Sequence, residues 1–138
     1  LKPGDLLFMG VDLKKDPSII LNAYNDKQGV TREFNLNLLD RINEELEADF
    51  KRDTFLHYPY YNPHTGECRS YLISQEEQDV TINDEVIHFD AWEAIFMEVS
   101  KKYDQGQLKK LASATNFIVR ETFQDDEEWF ADVLWEKG

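Results

Sequence analysis

Hydrophobic positions change their spacing several times along the chain, and each change predicts an element. Leu6-Leu7-Phe8-Met9-Gly10-Val11 is a continuous apolar run, the pattern of a strand buried on both faces in a parallel sheet. Asp12 and Lys14 follow at its carboxyl end, the edge where open α/β sheets bind ligands. Asp16-Pro17-Ser18 then reads as a helix start, with Asp16 at the N-cap and Pro17 at the first helical position. Ile19, Ile20 and Ala23 form its apolar side and Tyr24 lies near its end. After the turn-forming loop 25–29, Thr31 is the expected cap of a second helix, whose Phe34, Leu38, Leu39, Ile42 and Leu46 keep helical spacing. Asn35 and Asn37 are unusual inside it, because asparagine competes for backbone hydrogen bonds.

From His57 the texture turns to strands. His57 to Tyr61 is aromatic and extended, 62–67 is a turn signal, and Cys68 to Ser74 makes the return strand of a hairpin. Gln78 to Ile82 and Glu85 to Phe89 form a second hairpin turning at Asn83-Asp84. The stretch Ala91 to Tyr103 fits two periods. As a strand, it points Ile95, Met97 and Val99 to one face and Phe96, Glu98 and Ser100 to the other. As a helix, Trp92, Ile95, Phe96, Val99 and Tyr103 share a face and Asp90 with Glu93 resembles a capping box. Periodicity leaves these even; the hairpins before it make an antiparallel sheet the economical arrangement and favour the strand. Asp104 caps a last helix with Leu108, Leu111, Ala112 and Thr115 inward, and Phe117 to Phe123 and Trp129 to Trp135 close the chain as a hairpin around an acidic turn.

With 138 residues, 41% hydrophobic and 13% aromatic, the chain is long enough for an ordered domain with a real core. Its net charge of −13, from 28 acidic and 15 basic residues, repels phosphate backbones and anionic lipid heads, which argues against nucleic-acid and membrane partners. A single cysteine, Cys68, allows no internal disulfide, and a reducing cytoplasm fits best. No apolar run approaches the roughly 20 residues of a membrane helix. The chain starts at Leu1 on the approach to a strand, and reads as a piece of a longer protein.

Three histidines, His57, His64 and His88, lack metal-ligand spacing, and no metal site is expected. There is no G-x-S-x-G elbow, Walker loop or G-x-G-x-x-G, and no self-contained catalytic set. What remains suits binding: Tyr24, Asn35, Asn37, Tyr71, Glu98 and Ser100. A carboxylate can hold an amine or protonated imidazole by a charge-assisted hydrogen bond, and tyrosine and asparagine can donate to a ligand carboxylate.

Several stretches together resemble the histidine-specific S-adenosylmethionine-dependent methyltransferase family of ergothioneine biosynthesis. They are Gly4-Asp5-Leu6-Leu7 with Gly10-Val11-Asp12-Leu13; Ala23-Tyr24-Asn25-Asp26 with Gly29-Val30-Thr31; Phe34-Asn35-Leu36-Asn37-Leu38-Leu39; Arg41-Ile42-Asn43 with Glu45-Leu46 and Ala48-Asp49-Phe50; and Glu98-Val99-Ser100 with Lys102-Tyr103. The resemblance implies an α/β protein: the C-terminal part of a Rossmann-like methyltransferase sheet, residues 1–23 and 104–138, with an inserted antiparallel α+β substrate-binding subdomain, residues 24–103. Taken as an isolated piece, the chain reads as α+β.

By that resemblance the activity of the whole protein is N-methylation of the α-amine of histidine or a related amino acid. S-adenosylmethionine is expected to be bound mainly by a preceding half, leaving this chain inactive alone. Tyr24 would hold the acceptor's carboxylate, and Glu98 and Ser100 its imidazole side, with Asn35 and Ser70 completing the pocket. No residue here is assigned to catalysis, because positioning the amine in line with the sulfonium does most of the work. Ser70 stands where histidine-directed members tend to carry methionine, and Trp92 where a glycine is common, which leaves the choice of amino acid open. The alternative reading is a non-enzymatic acidic binding module derived from the same fold. Exposed sheet and helix-packing surfaces also predict that the isolated chain dimerises.

Overall fold

In the computed structural model, which describes residues Leu1–Gly138, the chain forms three α-helices and eight strands. Their order is β1 (Leu6–Asp12), α1 (Pro17–Tyr24), α2 (Val30–Leu46), β2 (Phe55–Asn62), β3 (Glu67–Ser74), β4 (Gln78–Ile82), β5 (Glu85–Phe89), β6 (Ala94–Lys101), α3 (Gln105–Ala114), β7 (Phe117–Gln124) and β8 (Phe130–Lys137). The architecture is mixed α/β. Two compact units divide it: residues 1–17, 62–67 and 101–138 form one, and residues 18–61 and 68–100 the other. Helix α1 is thereby grouped with the middle of the chain, and the turn 62–67 with its ends.

The first unit is a three-stranded antiparallel sheet in the order β1-β8-β7, with Phe8 opposite Leu134 and Val11 opposite Ala131. Strict alternation puts Val11, Ala131, Val133 and Trp135 on one face, where Leu108 and Ala112 of α3 cover them. Asp104 caps α3 through a capping box, its side chain accepting from Gln107 N at 2.8 Å while Gln107 Oε1 accepts from Asp104 N at 3.1 Å. Leu111, expected on the buried side of α3, is instead 39% exposed, one position out of phase with Leu108 and Ala112.

Strand β1 departs from its sequence reading. It pairs antiparallel with β8, and Leu6 and Phe8 are exposed on the face opposite the helix, so it is not buried on both sides within this unit. Its apolar run is continuous because one face packs on α3 while the other is lined by Leu6, Phe8 and the Phe130 ring, which lies across Gly10.

The second unit layers α1 and α2 on a sheet in the order β2-β3-β6, with β4-β5 as a separate two-stranded ribbon. The strand reading of Ala94–Lys101 holds, although β6 lies beside β3 rather than beside the preceding hairpin. Ser74 N donates to Glu93 O and Trp92 N to Ser74 O, which fixes the entry of β6 against the end of β3. Ile95 and Met97 pack into the core as expected, whereas Val99 is half-exposed.

Helix α2 corrects two expectations. Its cap is not Thr31: the helix opens at Val30, and the Asp26 carboxylate accepts from Val30 N and Thr31 N, each at 2.9 Å. Of the expected stripe, Leu39 is buried and Ile42 packs on the core, whereas Phe34, 74% exposed, Leu38 and Leu46 face outward and Asn35 and Leu36 are buried in their place. The apolar residues of this helix spread over two neighbouring phases, and packing selects the one that places Leu36 and Leu39 on Phe55, Leu72, Val80 and Phe89. Asn43 ties off the exit by a reciprocal pair of bonds with the backbone of Phe50, 2.9 and 2.8 Å long.

Candidate functional site

All five sequence-predicted site residues, Tyr24, Asn35, Ser70, Glu98 and Ser100, lie in the second unit. Two of them line one cleft. Between α2 and β6 opens a cleft of about 210 Å³, walled by Asn35, Asn37, Leu38 and Arg41 from the helix and by Met97 and Glu98 from the strand. Asn35 is 4% exposed, and its Nδ2 donates to Thr31 O at 2.9 Å, a bond one turn back along its own helix that fixes the amide's orientation. Glu98 is exposed at the cleft's rim. The cleft therefore combines apolar walls, an oriented amide, a carboxylate and a guanidinium, a set that matches a zwitterion bearing an apolar or aromatic body.

The other three sit apart from that cleft. Ser100 follows Glu98 by two residues on β6 and is half-buried. Tyr24, at the end of α1, packs against a small cluster of Ile20, Tyr61 and Cys68. Ser70 is fully buried on β3, and its hydroxyl has no hydrogen-bond partner. Of the wider polar set, Tyr71 stacks edge-on against Phe96 at 5.8 Å between centroids.

Sequence reasoning passed over His57. It is 7% exposed on β2, its Nε2 has no partner, and it lines a second cleft of about 350 Å³ with Arg32 and Leu36. Burial holds its pKa below the ordinary imidazole value; Arg32 pushes the same way, while the carboxylates of Glu98 and Asp26 oppose it. His57 is thus neutral at neutral pH, able to donate from one ring nitrogen and accept at the other. One signal was available: it stands two residues from Phe55 and four from Tyr61, so period-two alternation puts it on their buried face. Leaving buried polar atoms such as His57 Nε2 and Ser70 Oγ unmatched costs about 1–3 kcal/mol each.

No group of three or more His, Cys, Asp or Glu side chains is gathered where it could hold a metal ion. No helix is long and apolar enough to cross a membrane.

Residues 1–137 match the family model described as histidine-specific, S-adenosylmethionine-dependent methyltransferase. The chain belongs to that family. It is 41% identical over 105 residues, 75% of its own length, to histidine N-alpha-methyltransferase of Mycobacterium tuberculosis, and 39% identical over the same length to the protein of that name from Mycolicibacterium smegmatis. A shorter match of 44 residues at 50% identity, covering 32% of this chain, is to ergothioneine biosynthesis protein 1 of Neurospora crassa, of which it spans 5%. The chain spans about 33% of the length of the two mycobacterial relatives.

Proposed function

We propose that this chain is the acceptor-recognition half of an S-adenosylmethionine-dependent N-methyltransferase acting on the α-amine of histidine or a related amino acid. In this reading the second unit is the substrate-binding part and the first supplies late strands of the methyltransferase sheet. The observation that carries it is the cleft in which Asn35 and Glu98, far apart in sequence, converge beside Met97. Met97 offers a polarizable wall to an aromatic or imidazole body, and Glu98 a charge for its N–H groups. Tyr24 and Ser100 complete the recognition set by resemblance to the family, Tyr24 on the acceptor carboxylate and Ser100 beside Glu98.

The cofactor is S-adenosylmethionine, which supplies an electrophilic methyl group on a sulfonium. The residues of this chain do not fit its adenosyl moiety. Among the six glycines, none forms a glycine-rich turn between a strand and a helix: Gly29 precedes α2 but follows α1. We therefore place the cofactor site in a part of the protein other than this chain, and assign this chain no step of the chemistry. Its residues bind the acceptor, orient it and keep the amine's lone pair free for in-line attack. A single buried cysteine, Cys68, fits a reducing cytoplasmic setting.

The test is calorimetric titration of S-adenosylmethionine into this chain and into the full-length protein. Binding by the full-length protein alone supports the division of labour, and tight binding by this chain contradicts it. If the full-length protein transferred no methyl group to any amino acid, the alternative of a non-enzymatic binding module would stand instead. The exposed Leu6, Phe8, Ile118 and Phe130 also support dimerisation of the isolated chain, which a monomeric sedimentation profile would exclude.

A further inference from the structure

On the buried face of β2 and β3, two polar side chains without partners lie between two apolar clusters; Ser74, also buried on that face, is satisfied by Glu76 O and Gln78 Nε2. On β2, Phe55 packs into the larger apolar cluster and Tyr61 into the smaller one; on β3, Leu72 packs into the larger and Cys68 into the smaller. His57 and Ser70 occupy the interval on these adjacent strands, both more than nine-tenths buried and both in phase with the buried residues around them. Neither His57 Nε2 nor Ser70 Oγ has a hydrogen-bond partner. Tyr24, resembling the residue that holds an acceptor's carboxylate, packs on the smaller cluster, and Asn35 neighbours Leu36 of the larger one.

The His57 side chain borders two clefts, while its Nε2, like Ser70 Oγ, is itself buried. His57 forms part of the wall of the cleft of about 350 Å³ beside Arg32 and Leu36. It also lines a cleft of about 560 Å³ with Leu21, Asn25 and the aromatic residues of β2.

Resting on the amino-acid reading above, we propose that His57 is a further acceptor-binding residue, whose Nε2 together with Ser70 Oγ receives a polar group of the acceptor's side chain. A neutral imidazole and a hydroxyl can each donate or accept, so the pair suits an imidazole or amide. An aliphatic side chain leaves both atoms unmatched, so the pair selects against leucine-like acceptors by leaving buried polar groups without partners.

The experiment is calorimetry on the full-length protein with L-histidine, L-glutamine and L-leucine, comparing wild type with His57→Leu, His57→Gln and Ser70→Ala, and measuring S-adenosylmethionine affinity in parallel. His57→Leu is expected to weaken binding of the best polar amino acid about tenfold, His57→Gln to recover most of that loss, and S-adenosylmethionine affinity to change less than about twofold. An acceptor affinity untouched by His57→Leu would overturn the inference, as would leucine binding as tightly as the polar amino acids. Equal losses in both His57 variants, with S-adenosylmethionine affinity falling alongside, would make the residue structural and overturn it too. A wild-type protein that binds no amino acid would overturn the functional reading itself, which separates the two failures.

Discussion

Lys102 Nζ lies 2.9 Å from Asp12 Oδ2, and the lysine side chain is 2% exposed. The same carboxylate also takes Lys15 Nζ at 2.8 Å, and Lys15 sits over the Trp129 ring. Burial alone would raise the Asp12 pKa; the bonds from Lys15 and Lys102 outweigh it and hold the group below the ordinary carboxylate range. The carboxyl end of β1 is therefore pinned by a buried ammonium and its counter-charge.

Asp12→Asn should destabilise the protein by about 2 kcal/mol, below the figure for a fully buried pair because Asp12 keeps contact with water. Lys102→Met should cost less, since it removes the charge that needs a partner. Urea unfolding midpoints of the two variants check the order, and an Asp12→Asn variant as stable as wild type would contradict the account of the pair.

The cap on α2 predicts an acid transition. Backbone N–H groups of Thr31 and Val30 bonded to the Asp26 carboxylate lower its pKa to about 2. A depressed folded-state pKa contributes stability that is present above the unfolded value near 3.8 and lost as pH falls toward 2. Amide protection at Val30 and Thr31 should therefore fall over that interval, and in Asp26→Ala it should be low at every pH.

His88 predicts the opposite slope. Its Nδ1 is 2.7 Å from Asp79 Oδ1, with Asp90 and Glu77 at 3.6 and 3.9 Å from Nε2. The hydrogen bond to Asp79, aided by the neighbouring carboxylates, raises its pKa. A raised folded-state pKa gives stability that is complete below the unfolded value near 6.5 and lost as pH climbs through the folded one. The melting temperature should drop between pH 6 and 8.5 by more in wild type than in His88→Ala, and added salt should shrink the difference because every group involved is exposed.

What the sequence revealed and withheld follows one physical line. Asp104 is legible as a cap because its partner Gln107 is three residues away, so the whole motif lies within a local window. Thr31 fails as a cap because Asp26, in the preceding loop, reaches both free N–H groups first. Asp90 and Glu93 make the local bond that the helical reading expects, Asp90 N to Glu93 Oε2 at 2.9 Å. Trp92, however, takes a φ of 71° and donates its N–H to Ser74, so the same residues form a turn locked to β3 rather than a helix start. Local chemistry was readable there; the long-range partner that decides its use was not. The candidate site divides likewise. Glu98 and Asn35 could be picked out as residue types, but their shared cleft depends on how α2 rolls onto the sheet, and two apolar phases competed for that roll.

The most direct measurement is the acceptor profile of the full-length protein, read by mass spectrometry of methyl transfer to each amino acid in turn, for wild type and Glu98→Ala. The account predicts N-methylation of histidine or a related polar amino acid by wild type. Glu98→Ala should lower kcat/KM for that acceptor by roughly tenfold or more, with S-adenosylmethionine affinity unchanged. An acceptor profile that Glu98→Ala leaves as it was would contradict it.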